Sequence, residues 1–416
     1  MSDYDVAVVG AGAAGLAAGL ALQQAGKRFI VLEARNRVGG RAFTDMQTFP
    51  GMPFDVGGHW LHAASRNPFR AIADRLGFRY TSDIDWSHHV LHTGGGALAD
   101  SATKAGQTAI LMRTLEQIEA AGQRGRDVAF TDVIDISDPW YPLTRRTLTQ
   151  ITSLDPEFCS TLDYARYEDE GGDFPVEDGY GALVAAHAAG LPVTLETPVT
   201  GIDWSGAGVS IATSKGAVKA RAVIIALPTN VLAQSIRFTP TLPVATAEAI
   251  HDCPMGSAEK IALLLDRPLG GFGHLYGDII DGPPMSAEPF NLHVNPFGRP
   301  MAISHLGGSY ARDLEAAGTD AMCDLAVERM VFAFGSGIRQ RIVKTLTTHW
   351  TSDPWTLGGY SHCKPGKASA RAVLRETVGD RIVLAGEHCS EHHFSTIHGA
   401  HQSGQVAAAK ALELLA

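Results

Sequence analysis

The sequence predicts an α/β chain whose first sheet is doubly wound and assembled from pieces far apart in sequence, with an α+β unit on a mixed sheet inserted between them. Three observations predict it. Asp5-Val-Ala-Val-Val9 runs straight into Gly10-x-Gly12-x-x-Gly15 and an Ala- and Leu-rich stretch, so a buried strand, a glycine turn and a helix follow one another. Arg221-Ala-Val-Ile-Ile-Ala-Leu227 and Arg381-Ile-Val-Leu-Ala385, stopped by Pro228 and Gly386, suit further buried strands of the same layer. Between these pieces lie two stretches of different texture, one with helical periodicity and one with aromatic-rich strands.

The first helix runs for about four turns and stops near Gly26. Phe29-Ile-Val-Leu32 is the second strand and ends on Glu33. That order is the order of a Rossmann-like dinucleotide site. Gly10 permits the turn, Gly12 lets the backbone approach a pyrophosphate, and Gly15 lets helix and strand pack closely. Ala14 stands in the first helical turn, whose free N–H groups and partial positive charge suit phosphates. Glu33 is placed to accept both hydroxyls of a ribose, each charged hydrogen bond contributing roughly 1.5–3 kcal/mol. Ala34 and Arg35 follow it, and Arg35-Asn-Arg-Val-Gly-Gly-Arg41 suits a loop wrapped around phosphates, its guanidiniums neutralising charge.

Farther along, helices are predicted over 67–76 and 102–121, the latter with Ile110, Leu111, Leu115 and Ile118 on one face. Short alternating strands are predicted over 195–216, a strand over 260–265 and a helix over 320–334. His398-Gly-Ala-His-Gln-Ser-Gly404 opens a closing helix over 405–415. The predicted cofactor domain comprises 1–65, 191–244 and 368–416; the substrate domain comprises 66–190 and 245–367.

With 45% hydrophobic and 19% charged residues, the 416-residue chain has an ordinary globular composition and enough length for two substantial cores. A net charge of -10 argues against nucleic acid as a general partner. It suits cationic ligands, or simply keeps the protein soluble. The five cysteines are odd in number and lack metal or disulfide spacing, so no metal is expected. No apolar run reaches the roughly 20 residues needed to span a bilayer, and Met1-Ser-Asp-Tyr4 is too short and acidic for a signal peptide. A cytoplasmic protein that neither spans nor binds a membrane is expected, with a homodimer as the candidate assembly.

Gly10-x-Gly-x-x-Gly15 with Glu33, followed by Arg37-x-Gly-Gly-Arg41, resembles the flavin amine oxidase superfamily, which includes monoamine, polyamine, histone-demethylase-type and L-amino-acid oxidases. Further matches follow in order: Asp55-Val-Gly-Gly-His-Trp60, Pro198-Val199, Ala226-Leu-Pro228 with Phe238-x-Pro-x-Leu-Pro243, and Met255-Gly-x-x-x-Lys260. Trp350, Gly358-Gly-Tyr360 with Pro365-Gly366, and Ala385-Gly-Glu387 with His398-Gly-Ala-x-x-Ser-Gly404 complete them. The resemblance covers nearly the whole chain. It implies a cofactor domain of the glutathione-reductase type holding FAD, with Gly40, Arg41, Gly57, Gly58, His59, Trp60, Val199, Trp350, Gly386, Glu387, Thr396 and Ile397 along it. The residue before Tyr360 is Gly359, where members with covalent flavin carry Cys, so the FAD is expected to be non-covalent.

The same resemblance implies the chemistry: oxidation of an amine C–N bond, with dioxygen as acceptor and hydrogen peroxide as product. It makes Lys260 the lysine that holds a water beside the flavin, and a lone Lys in an apolar strand needs such a partner. It makes Tyr360 an aromatic wall beside the flavin that steers the amine, with Thr396 where monoamine oxidases carry a second aromatic. His62 resembles a substrate-contacting histidine of polyamine oxidases; a structural histidine is the equal alternative. A polyamine or related aliphatic amine is the expected substrate. An L-amino-acid oxidase, a carotenoid-type flavin desaturase or isomerase, and a flavin-containing binding module without catalysis are the rivals. The acidic run Glu168-Asp-Glu170, Asp173, Glu177 and Asp178 suits a polyamine's far ammonium, although a solvated loop is the simpler reading. His388-Cys389-Ser-Glu391-His392-His393 is read as lining of the active site.

Overall fold

The computed structural model describes residues 3–82, 89–169, 171–270, 275–282 and 285–416. The strand Tyr4–Val9 is covered on both faces. Val6 and Val8 pack with the helices Ala13–Gln24 and Ile397–Leu414, while Ala7 and Val9 pack with Ala249, Ile250 and Leu374. A strand buried on both sides reads as an unbroken apolar run. It pairs in parallel with Phe29–Leu32 and with Gly216–Ile225, and the latter pairs in parallel with Ile382–Leu384. Val209–Thr213 and Val199–Asp203 extend the same layer as an antiparallel pair, so this 8-stranded Rossmann-like sheet is mixed. Its strands come from three separate stretches of chain, 4–32, 193–239 and 382–384.

A second, 7-stranded sheet runs in the order Ile342–Thr347, Ala258–Leu265, Met301–Gly307, Phe290–Val294, Leu275–Ile279, Val90–Gly94, Ala97–Leu98. It too is mixed, because Val90–Gly94 joins Leu275–Ile279 in parallel while the others pair antiparallel. Period-2 alternation sorts the faces of Ala258–Leu265. Ile261, Leu263 and Leu265 pack under the helix Thr319–Phe334 with Met322, Ala326 and Met330, and Ala262 packs against Phe49 and Phe54 on the other side. Lys260 shares that second face, which turns it toward the segment 55–59.

Three elements differ from expectation. The strand expected from Arg221 begins at Gly216, because residues 216–219, exposed except for half-buried Val218, form a hairpin with Val209–Thr213. The closing helix begins at Ile397, two turns early. A Cβ on Gly404 would lie 2.0 Å from Ala14 O, so the small residues of 398–404 serve close helix–helix packing inside the helix. On the helix Ser101–Gln123 the buried side chains are Gln107, Thr114, Ile118 and Ala121; Ile110, Leu111 and Leu115 are half-buried.

Candidate active site

A cavity of ≈ 970 Å³ runs from the glycine turn to the second sheet. At its first end lie Gly10, Gly12, Ala14, Glu33, Ala34, Arg35 and Val199. Gly10 has φ +95°, and a Cβ on Gly15 would lie 1.8 Å from Gly10 O. Gly15 therefore packs helix on strand and does not line the cavity. Among the described residues a Cβ on Gly12 would meet no atom nearer than 4.0 Å, so the space beside it belongs to the cavity. The helix that starts there has no side-chain cap and no acid in its first turn, which leaves its N–H groups to a ligand. Glu33 is buried; Ala11 N donates to one carboxylate oxygen at 2.8 Å and Arg35 N to the other at 2.9 Å.

Not every guanidinium of the basic loop faces this space. Arg37 donates to Val38 O and Gly40 O and stacks on Phe43 at 3.9 Å, so it closes its own loop. Burial, then Arg35, push its pKa down to about 10. Arg35 lines the cavity while bonded to Asp353 at 2.6 Å, and Arg41 while bonded to Glu387 at 3.1 Å.

The middle of the cavity is built from separate segments. Gly40, Gly57, Gly58, His59 and Trp60 come from the stretch after Phe29–Leu32, Trp350 from the segment after Ile342–Thr347, and Gly386, Glu387, Thr396 and Ile397 from the C-terminal piece. Glu387 is fully enclosed, yet Arg41, Ser361 and Ser395 keep it charged, below the ordinary carboxylate range. Lys260 is 9% exposed. Its Nζ donates to Asp55 O at 2.7 Å, Gly57 O at 2.5 Å and His59 Nδ1 at 3.1 Å, so three protein acceptors surround the ammonium. Burial lowers its pKa to about 8, with Asp55 opposing. Tyr360 also lines the cavity; its hydroxyl donates to Gln150 O, and burial raises its pKa.

The far end carries acid. His62 Nδ1 lies 2.7 Å from Asp173 Oδ1, and Asp169 and Glu119 line the same space with Tyr164, Tyr167 and Phe394. The acidic run thus has two fates: Asp169 and Asp173 face the cavity, whereas Glu177 and Asp178 pair with exposed Arg79. Glu170 lies outside the described residues. Of the 388–393 stretch only His388 lines the cavity; Cys389 is in the core, His392 bonds Arg166 O, and His393 bonds Gln402. Among the described residues no cluster suits a metal ion, and no helix is long and apolar enough to cross a membrane.

Sequence reading did not single out Glu119, Tyr164, Tyr167, Phe394 or His305, which sit in no local motif. His305 had one usable signal, a lone histidine in the apolar strand Met301–Gly307.

Residues 13–119 and 147–412 match the model of the family described as flavin containing amine oxidoreductase. The chain belongs to that family. This flavin-containing amine oxidoreductase is 28% identical over 434 residues to polyamine oxidase 4 of Oryza sativa subsp. japonica, covering 98% of this chain and 88% of that one. It is 26% identical to lysine-specific histone demethylase 1 homolog 2 of Arabidopsis thaliana, covering 99% and 59%. A solved putrescine oxidase bound to putrescine shares its fold with TM-score 0.80 at 21% identity, covering 99% of both chains.

Proposed function

We propose that this enzyme binds FAD non-covalently and oxidises a C–N bond of a di- or polyamine, with dioxygen as acceptor. The carrying observation is the charge arrangement of one cavity: Lys260 stands at the middle, and Asp169, Asp173 and Glu119 stand at the end away from Glu33. A cation at the reacting position disfavours an ammonium there, and carboxylates beyond it favour one, so an amine with two nitrogens is matched at both.

The uncapped helix start, the open side of Gly12, and Glu33 suit the diphosphate and ribose of FAD, and Arg41 with Glu387 suits its central part. Non-covalent binding is supported at Gly359, where even a Cβ would lie 2.6 Å from Ala258 Cβ. Bound FAD supplies the acceptor for hydride from the carbon next to nitrogen and, through dioxygen, the route to hydrogen peroxide. The chain's own residues do the rest. Tyr360, Trp60 and Phe394 exclude water and offer aromatic faces to the alkyl chain, and His62–Asp173 receives the distal ammonium. The imine product hydrolyses in water.

The L-amino-acid reading needs an arginine for a carboxylate. Among the described residues the cavity's arginines are Arg35 and Arg41, both already ion-paired. Anaerobic bleaching of the flavin by putrescine, spermidine, spermine, benzylamine and L-amino acids tests the proposal. Bleaching by the polyamines, with peroxide formed in air, is expected; bleaching by L-amino acids alone would sink it.

A further inference from the structure

Lys260 faces His305 as its cross-strand partner, and both side chains line the cavity. His59 stacks on His305 with ring centroids 5.1 Å apart and planes 15° apart. Two different hydrogen bonds give these imidazoles opposite tautomers. His59 Nδ1 lies 3.1 Å from the Lys260 ammonium and must accept, which puts the His59 proton on Nε2. His305 Nδ1 lies 3.3 Å from Asn291 Oδ1 and must donate, which leaves His305 Nε2 with a bare lone pair.

That lone pair is the unexplained group. Nε2 of His305 is buried and has no hydrogen-bond partner among the described residues. Behind it the line is well anchored. Asn291 pairs across the sheet with Asp278, and against the effect of burial Arg146, then His89 and the Asn291 amide, hold the Asp278 carboxylate below its usual range. Arg146 comes from the helix Tyr141–Thr152 and lies 3.1 Å from Asp278, and His89 lies 3.0 Å from it. The groups that face His305 are therefore Lys260, His59, Asn291 and, beyond Asn291, Asp278 with Arg146. Burial, Lys260 and Arg146 all hold the His305 imidazole neutral. A neutral imidazole in a fixed tautomer accepts a hydrogen bond without taking up a proton.

We propose that His305 Nε2 accepts an N–H hydrogen bond from the reacting nitrogen of the substrate, and that Asn291 and Asp278 are positioning residues that keep Nε2 bare. This rests on the amine-oxidation reading above and adds to it the residue that orients the nitrogen. Lys260 beside it disfavours an ammonium at the same spot, so the pair selects the neutral amine, the form that can give up a hydride.

The test is calorimetry of putrescine binding to the dithionite-reduced holoenzyme under argon at pH 7, where Lys260 is charged and binding is read without turnover. His305→Leu is expected to weaken binding about tenfold, and His305→Gln, whose Oε1 can accept the same bond, to restore most of it. Side-chain 15N spectra of the holoenzyme supply a second readout. One non-protonated histidine nitrogen, absent in both His305 variants, should shift on adding putrescine, and Asn291→Leu should turn its signal into a mixture of tautomers. Equal affinity in His305→Leu, or an equal loss in the leucine and glutamine variants, overturns the proposal. If wild type is bleached by putrescine and His305→Leu binds it normally, this inference falls alone. If no amine binds or bleaches wild type, the amine reading falls with it.

Discussion

The two ends of the cavity are built by opposite rules. At the end proposed for the nucleotide the lining groups are close neighbours in sequence: Gly10, Gly12 and Ala14, then Glu33 bonded to Ala11 N and Arg35 N. At the end proposed for the amine each group comes from elsewhere. Lys260 bonds to Asp55, Gly57 and His59 some two hundred residues away, and His62 bonds to Asp173. A site made by a turn is rigid in its sequence pattern; a site made by sheet register and packing between distant segments is free to change residue by residue.

The comparison predicts that the nucleotide end breaks by sterics and breaks completely. Gly15→Val places a Cβ where Gly10 O already lies, 1.8 Å away, with backbone on both sides unable to yield. A loss above about 4 kcal/mol is expected, in the exceptional class for single substitutions. Its measure is the yield of soluble protein carrying the 450-nm flavin absorbance. A variant that kept wild-type flavin content would show that the close strand–helix approach is dispensable.

At the amine end a single change should instead alter chemistry and leave the flavin bound. Lys260→Met is expected to slow peroxide formation by about 10²-fold or more, the usual size for a positioned acid–base group. Stability supplies a sharper check. The folded-state pKa of Lys260 is about 8, below its unfolded value of about 10.4, so the unfolded chain binds more protons between those limits. Burying the cation costs on the order of 3 kcal/mol below pH 8, and this cost disappears as pH rises toward 10.4. Wild type should therefore gain stability relative to Lys260→Met across that window in urea melts at stepped pH. A difference independent of pH would refute the buried-cation account.

How much of each end was legible follows from the same contrast. The strand Phe29–Leu32, the turn and Glu33 were readable because their geometry is local. Lys260 and Tyr360 could be reached only through motif resemblance, since nothing in their neighbourhood states which face of a strand meets the cavity. His305 and Glu119 were not reached at all. One is selected by the Lys260↔His305 register and the other by where the helix Ser101–Gln123 packs, and neither relation leaves a spacing in the chain. The closing helix was shortened for a related reason: the small residues from His398 to Gly404 look like a loop until the partner helix that needs them is present.

The carboxylates at the far end give a smaller, substrate-dependent effect. Asp173→Asn keeps the shape and removes the charge beside His62. A charged hydrogen bond contributes roughly 1.5–3 kcal/mol. The KM for spermidine should therefore rise about tenfold or more, while the KM for a monoamine of similar length stays within about twofold. Equal effects on both would mean that Asp173 only holds His62.

The smallest expected effect separates the two fates of one acidic run. Glu177 lies four residues from Asp173 but bonds to Arg79, whose side chain is 63% exposed, at 2.9 Å. Exposed pairs of this kind contribute roughly 0.2–1 kcal/mol and are screened by salt. Glu177→Gln should leave spermidine KM unchanged and move the melting temperature by no more than about 2 °C, with the shift vanishing near 0.5 M salt. A KM effect as large as that of Asp173→Asn would mean that the whole run acts on the cation by its field at a distance, and that the cavity-facing position of Asp173 contributes nothing specific.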